Sequence, residues 1–416
     1  MDLDRRGWAA VSVAASASTG RRVALWRVRR RMTQQVFADR IGRSKSWVEK
    51  VERGVRRLDR FSLIQQVAEV LRVDPAELLG TDRLPHPDDG VAADGVQAVR
   101  AALACYDVFA AGSLGPAPDT VEVSRRVEHA WSTYRHGDHP RLLRMVPGLL
   151  DAARRLHAGR PEHGVVPLVQ AYRVAALVLV KVGEADLAWL AADRALATAG
   201  NDRLLAASAV VPLGQALRGL GQGRLAMTAT ITAAHRIAAS TGGAASASAD
   251  TSSEQRSVYG TLLLQAGLAA ANCGDHASAG ELLKQTAEVA RQVGDGQDYR
   301  QASFGPAAVD CAQVTAAVAL DNPADAVDRH TAIVRRDGWL RLPAEHRAAY
   351  LIDAARAHLD TGDLAAAGRW LVEADRVAPA EIRCRPSART VVAEIARSGP
   401  QAAGVARLAT ALGLTR

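Results

Sequence analysis

A chain of 416 residues is too long for one small domain, and at least two are expected. Hydrophobic residues reach 48% while aromatics stay at 4%, a composition rich in Ala and Leu that favours helices over sheets, and the net charge is +8. Cys105, Cys273, Cys311 and Cys384 lie far apart with no Cys-x-x-Cys pair, and no apolar run approaches the roughly 20 residues of a membrane span; the reading is a reduced, cytoplasmic chain with its thiols buried as small hydrophobes and no membrane.

Residues 1–20 carry Arg5-Arg6 and a weakly hydrophobic Ala/Val/Ser stretch with a faint echo of a signal peptide, and are expected to be a disordered tail or an over-extended start. Residues 21–31 predict a first helix, with Leu25 and Val28 facing inward, Trp26 at the edge and the arginines outward. Thr33 can cap a second helix, on which Phe37 and Ile41, four apart, share a face and Ala38 permits close approach. Gly42 ends it, because a tight turn needs the left-handed conformation. Ser44 or Ser46 can cap a third helix, and Ser46-x-x-Glu49 fits a capping box. Val48 and Val51 point to the core, Ser44, Lys45, Ser46, Glu49 and Lys50 point away from it, and Gly54 stops the helix. Two short helices joined by so tight a turn have the geometry that lays a reading helix in the major groove. Residues 21–60 hold 14 Arg and Lys against 4 Asp and Glu, a net of +10, so the remainder of the chain sums to −2. The basic excess sits where a DNA backbone would want it.

A fourth helix follows on Leu63, Ile64, Val67, Val70 and Leu71, and a fifth, short and capped, over 74–80. The stretch 33–54 resembles the helix-turn-helix of Cro/repressor-type (XRE family) transcriptional regulators, through Gln34, Ala38, Gly42, Val48, Val51 and Glu52-Arg53-Gly54. The resemblance covers 21–80 and implies a five-helix DNA-binding domain. It implies phosphate contacts from Gln34 and Arg53 and base contacts from Lys45, Ser46, Glu49 and Lys50, with Gln35, Arg43 and Ser44 completing the DNA-facing set. Arg43 departs from the family, which has an apolar residue there; either its stem lies along the turn with its head in water, or it adds a phosphate contact.

Residues 81–95, with their prolines, glycines and acids, are expected to be a linker, in which His86 has no role. From 96 to 416 the texture is one of helical pairs with glycine at the bend: Gly183, Gly221, Gly274 and Gly362, and further bends at Gly137 and Asp321-Asn322-Pro323. The clearest pair has Leu351, Ala355, Gly362-Asp363, Ala367, Leu371, Ala374 and Pro379, and it resembles the tetratricopeptide repeat, although the bends are 38, 53 and 88 residues apart against a family period of about 34. Residues 241–257 read as a mobile Ser/Ala/Gly loop. The expectation is all-α, a helix-turn-helix domain followed by a tetratricopeptide-like α-solenoid, as in actinobacterial regulators. Its groove would hold a peptide or protein effector through Gln170, Arg173, Gln215, Arg218 and Arg356.

The chain is not expected to be an enzyme or to use a cofactor. Gly219-Leu-Gly-Gln-Gly223 lacks the Lys-Ser/Thr of a phosphate loop and reads as a repeat bend. His129, His136 and His139 cluster without ligand partners, so no metal is expected. The functional expectation is a sequence-specific regulator of transcription that binds double-stranded DNA as a homodimer, its repeats dimerising or sensing an effector. The alternative is a repeat scaffold localised to DNA by its first domain.

Overall fold

The computed structural model describes residues 19–30, 32–53, 61–71, 73, 78, 87–105, 117–238, 249–398 and 403–414. Among them the regular elements are all helices, with one 3-10 turn at Tyr299–Gln301, and no strand. The tail over 1–18, Gly54, His86, the loop segment 241–248 and most of the fifth short helix lie outside the described residues. The chain divides into two units, Met1–Leu84 and Pro85–Arg416.

The first unit contains α1 (Thr19–Arg29), α2 (Gln34–Arg40), α3 (Lys45–Glu52) and α4 (Phe61–Leu71). Val23, Phe37, Ala38, Ile41, Trp47, Val48, Val51, Ile64, Val67 and Leu71 bury together with Leu78. Each large apolar side chain among them contributes about 1.5–3 kcal/mol. Helix α1 lies differently from the sequence expectation. Val28 is 61% exposed, and the inward residues are Gly20 and Val23. Gly20 sets this, because a Cβ there would sit 1.9 Å from the Val51 carbonyl oxygen, so only glycine lets α1 lie against α3. Two arginines also turn in. Arg22 is buried and reaches the Leu78 carbonyl at 3.5 Å, and Arg27 is clamped to Glu52.

The second unit opens with α5 (Pro87–Leu103), so the second half of the expected linker is helical. Hairpins follow: α6 (Thr120–Arg135) with α7 (His139–Gly159), α8 (Pro161–Lys181) with α9 (Ala185–Ala199), α10 (Arg203–Gly219) with α11 (Gly223–Ala238), and α12 (Ala249–Asn272) with α13 (His276–Val293). Then come α14 (Pro306–Ala319) with α15 (Pro323–Ile333), a short α16 (Asp337–Arg341), α17 (Ala344–Asp360) with α18 (Leu364–Val377), a short α19 (Pro379–Cys384), and α20 (Pro386–Arg397) with α21 (Ala403–Ala411). The expected loop therefore ends by Ala249, where α12 begins.

One local device makes these bends. The second residue past the helix is left-handed and donates to the carbonyl three back, while the next N–H reaches five back, as at Gly362 to Leu359 (3.0 Å) and Asp363 to His358 (2.8 Å). Asp363 then caps α18, its side chain accepting from the Ala366 N–H at 2.9 Å. Asp138 and Asp275 do the same for α7 and α13. The interval from Gly274 to Gly362 is divided at Asp321, where a non-glycine residue takes φ 59° and Asn322 caps α15. The Gly219–Gly223 segment is a bend of this kind, with Gly221 at φ 72°.

Helix α8 is long and apolar enough to cross a membrane by length and composition, contrary to the sequence expectation, but 78% of its apolar window is buried inside the unit, as in a core helix. The thiols also differ from expectation, since Cys105 and Cys273 are exposed, Cys384 is half-buried and only Cys311 is buried.

The bends of the first two hairpins of this unit meet the segment from α17 to the start of α20. A Cβ on Gly137 would come within 2.7 Å of the Ala378 methyl, and one on Gly183 within 2.8 Å of Pro386. Lys181, at the end of α8, pairs with Glu345 of α17 and, at 3.1 Å, with Glu381 of α19. His139 donates or accepts at Nε2 with Glu381 at 2.8 Å, both side chains fully buried.

Candidate nucleic-acid interface

Thr33 caps α2, its hydroxyl accepting from the Val36 N–H at 3.2 Å. Ser44, rather than Ser46, caps α3 and accepts from the Trp47 N–H at 3.2 Å. Between them Gly42 takes φ 63°, its N–H donating to Asp39 and that of Arg43 to Ala38. The connection is therefore a left-handed glycine stop followed at once by a hydroxyl cap, which fixes the angle of α3 to α2. Gln66 of α4 donates to the Ile41 carbonyl at 3.4 Å and ties the turn to the core.

Helix α3 has two faces. Trp47, Val48 and Val51 are buried, whereas Lys45, Ser46, Glu49, Lys50 and Arg53 are exposed. Arg53 lies 3.6 Å from Glu49, both largely exposed, so the pair holds neither side chain firmly. Arg43 is exposed with its guanidinium 5.9 Å from the Trp47 ring centroid, so its stem lies along the start of α3. Gln35 is exposed, its amide donating to Asp39 at 2.8 Å. Gln34 is half-buried and donates to Glu52 at 2.8 Å.

Glu52 is the residue whose role was not legible from the motif. Arg27 grips it twice, Nε to Oε1 at 2.6 Å and Nη2 to Oε2 at 3.0 Å, and Arg27 also donates to the Met32 carbonyl at 2.8 Å. With side chains only 13% and 7% exposed, this bidentate pair joins the end of α1 to the end of α3, and Gln34 adds the start of α2. The exposed polar face of α3 is thus carried on a helix fixed at both ends. Around it the solvent side holds an excess of arginine and lysine and the electropositive start of two capped helices, an arrangement suited to polyanionic backbone.

The five groove residues expected from the sequence do not share one open surface. Gln170 and Arg173 are buried on α8; Arg173 donates to Gln170 at 2.8 Å and to the Arg300 carbonyl at 2.9 Å, with its guanidinium 5.2 Å from the Trp131 ring centroid. Burial, and then the Arg300 charge, bring its pKa down to about 9, still cationic at neutral pH. Gln215 is half-buried, and Arg218 donates to Gln265 at 2.8 Å. Arg356 is held by Asp360 and, at 2.9 Å, by Glu394 of α20. Of the three clustered histidines, His139 is committed to Glu381, while His129 faces Arg141 at 3.2 Å and His136 the Ser132 carbonyl at 2.7 Å.

Residues 19–79 match the family described as "Helix-turn-helix domain". No curated protein matches the chain significantly. Among solved structures, the chain is similar to one titled "Crystal Structure of Bacillus thuringiensis PlcR in complex with the peptide PapR7 and DNA", at 15% identity over 77% of this chain and 99% of that one, with a TM-score of 0.23.

Proposed function

We propose that this protein is a sequence-specific regulator of transcription that reads double-stranded DNA with α3. The observation that carries the reading is the capped α2–turn–α3 unit, whose outer face presents Lys45, Ser46, Glu49, Lys50 and Arg53 within a segment of net charge +10. Phosphate contacts fall to Gln35, Arg43 and Arg53 around the rim, with Gln34 shared between DNA and its bond to Glu52. Base contacts fall to the residues of α3. One such helix reaches few base pairs, too few to mark a site among millions, so the protein works as a dimer with two copies of α3 in major grooves about 34 Å apart. The tetratricopeptide-like body supplies the dimer contact and an effector site.

Footprinting the full chain on random-sequence duplex, with sedimentation of the selected complex, tests this. Two protein chains on two half-sites one helical turn apart are expected, with affinity falling about 10³–10⁵-fold between roughly 50 and 200 mM salt if a dimer makes about 6–10 phosphate contacts. Binding that follows duplex length and ignores sequence would overturn it in favour of a scaffold that merely sits on DNA.

A further inference from the structure

The helical body holds a cavity of about 490 Å³ between the segment that follows α13, the end of α6 and the start of α17. Its size is that of a small-molecule site. Its lining includes Arg135, Arg341 and Arg347. Arg135 is satisfied, by Asp298 at 2.6 Å. Among the described residues the side chains of Arg341 and Arg347 make no hydrogen bond or ion pair, although Glu373 acts on Arg347 at longer range. A guanidinium without a carboxylate partner can donate through its Nη groups to an incoming carboxylate or phosphate.

The cavity has acids too: Asp298 is engaged on both oxygens, whereas Asp295 is engaged on Oδ1 alone. Asp298 takes the Ser303 N–H and hydroxyl on Oδ1 and Arg135 on Oδ2, and Asp295 takes the Ala307 N–H on Oδ1. Pro343 and Ala344 line the same space, and there α17 starts with no side-chain cap, so the electropositive end of a 17-residue helix adds to the field of the two arginines. Across the cavity the backbone is held in an unusual shape. Arg300, Gln301 and Ser303 have φ of 52°, 60° and 45°, a conformation that persists only where the surroundings enforce it. Arg135 grips this segment through Asp298 and through the Gln301 side chain, and Arg173 holds the Arg300 carbonyl.

We propose that the cavity binds a small anionic ligand carrying a carboxylate or phosphate group, with Arg341 and Arg347 as its guanidinium donors and the start of α17 as its amide donors. Neither guanidinium has a hydrogen-bond or ion-pair partner among the described residues. The site belongs to the helical body alone and is tested without DNA, so it stands or falls separately from the DNA-binding reading.

The test is calorimetric titration of the full-length protein with citrate and, separately, with inorganic phosphate, against chloride at matched ionic strength. One of the two is expected to bind at one per chain and raise the melting temperature, citrate marking a carboxylate ligand and phosphate a phosphorylated one. Arg341→Gln and Arg347→Gln should each weaken that binding by about tenfold or more, since each removes a charge-assisted contact. Arg341 is exposed, so its variant should melt as the parent does in the absence of probe, and any loss of binding then reports the site rather than the fold. Absence of binding by both anions, or equal binding by the Arg341→Gln/Arg347→Gln double variant, would overturn the proposal.

Discussion

Lys50 and Arg53 stand one turn apart on the same exposed face of α3, yet they should act differently. Lys50 lies inside the last turn of the helix with no partner among the described residues, at a position suited to a base edge, whereas Arg53 follows the last helical residue and suits the backbone. Lys50→Ala and Ser46→Ala are expected to relax base preference, each good base contact discriminating by about 1–3 kcal/mol. Arg53→Ala should weaken all sequences alike. Selection of preferred sites for the three variants checks this, and an unchanged preferred site and affinity for Lys50→Ala would remove it from the reading surface. The spacing of Val48 and Val51 was enough to separate the two faces of α3, as that of Phe37 and Ile41 was for α2, because each face is a local helical period. The support beneath them was not legible. Glu52 and Arg27 are 25 residues apart, and nothing in the pattern of either helix says that their charges meet inside rather than in water. Nor does a pattern of arginines on α1 show which of them turn in; that follows from the contact of Gly20 with the Val51 carbonyl.

Helix bends are the element-scale counterpart. Gly-Asp at 137–138, 274–275 and 362–363 is a stop and a start in two residues, so these hairpins could be placed from the sequence. Where the bend carries other residues the signal fades, which is why the interval between Gly274 and Gly362 reads ambiguously until Asp321 is seen at φ 59°. The helical start of α5 was missed for a related reason: prolines and acids mark loops and first helical turns alike. Asp321 also gives a quantitative expectation. A side chain in the left-handed region carries a steric cost that glycine does not, whereas glycine loses more entropy on folding. With the stop already built, Asp321→Gly should stabilise the protein by about 0.5–1 kcal/mol. The opposite exchange, Gly137→Ala, should destabilise it, since the new methyl would meet Ala378 at 2.7 Å in a residue at φ 73°. Chemical denaturation of both variants decides it; a destabilised Asp321→Gly would mean that the Asp321 side chain contributes more than its backbone costs.

At the scale of the whole repeat unit the decisive feature is that its ends touch, which no local pattern encodes because the partners lie more than 200 residues apart. An open stack of hairpins is stabilised by neighbours alone and can fray from its last repeat. Here Tyr134 donates to Glu345 at 3.2 Å, and Lys181 and His139 converge on Glu381, so the final helices are secured to the first. The pH dependence follows from two buried groups. Burial alone would raise the Glu381 carboxyl, but Lys181, His139 and Arg385 outweigh it and hold it well below the ordinary carboxylate range. A depressed carboxylate contributes stability that is present above its unfolded pKa and is lost as pH falls through the folded one. His330, 1% exposed and 2.7 Å from the Tyr350 hydroxyl, is pushed down to about 4 by burial and then by His358. It is neutral in the folded state, so its contribution is present above about 6.5 and is lost as pH falls towards 4. Melting temperature should therefore hold near neutral pH and decline from about 6.5 downward, and His330→Phe should flatten the upper part of that decline; a parent protein with a level melting temperature down to about pH 4.5 would contradict it. Lys181 tests the closure itself. Its side chain is 9% exposed between two carboxylates, and Lys181→Met leaves Glu345 without its cation and Glu381 with Arg385 and His139 alone, at a cost of about 3–5 kcal/mol at neutral pH. Because protonation would neutralise the stranded acids, the deficit should shrink on acidification, the reverse of the parent's own trend. Lys181→Arg, which keeps the charge, should recover much of the loss. Hydrogen exchange supplies the spatial readout: in Lys181→Met the amides of α19 and α20 should lose protection before those of α8 and α9. Uniform loss across the unit would show that Lys181 stabilises the core at large and does not act as the tie between its ends.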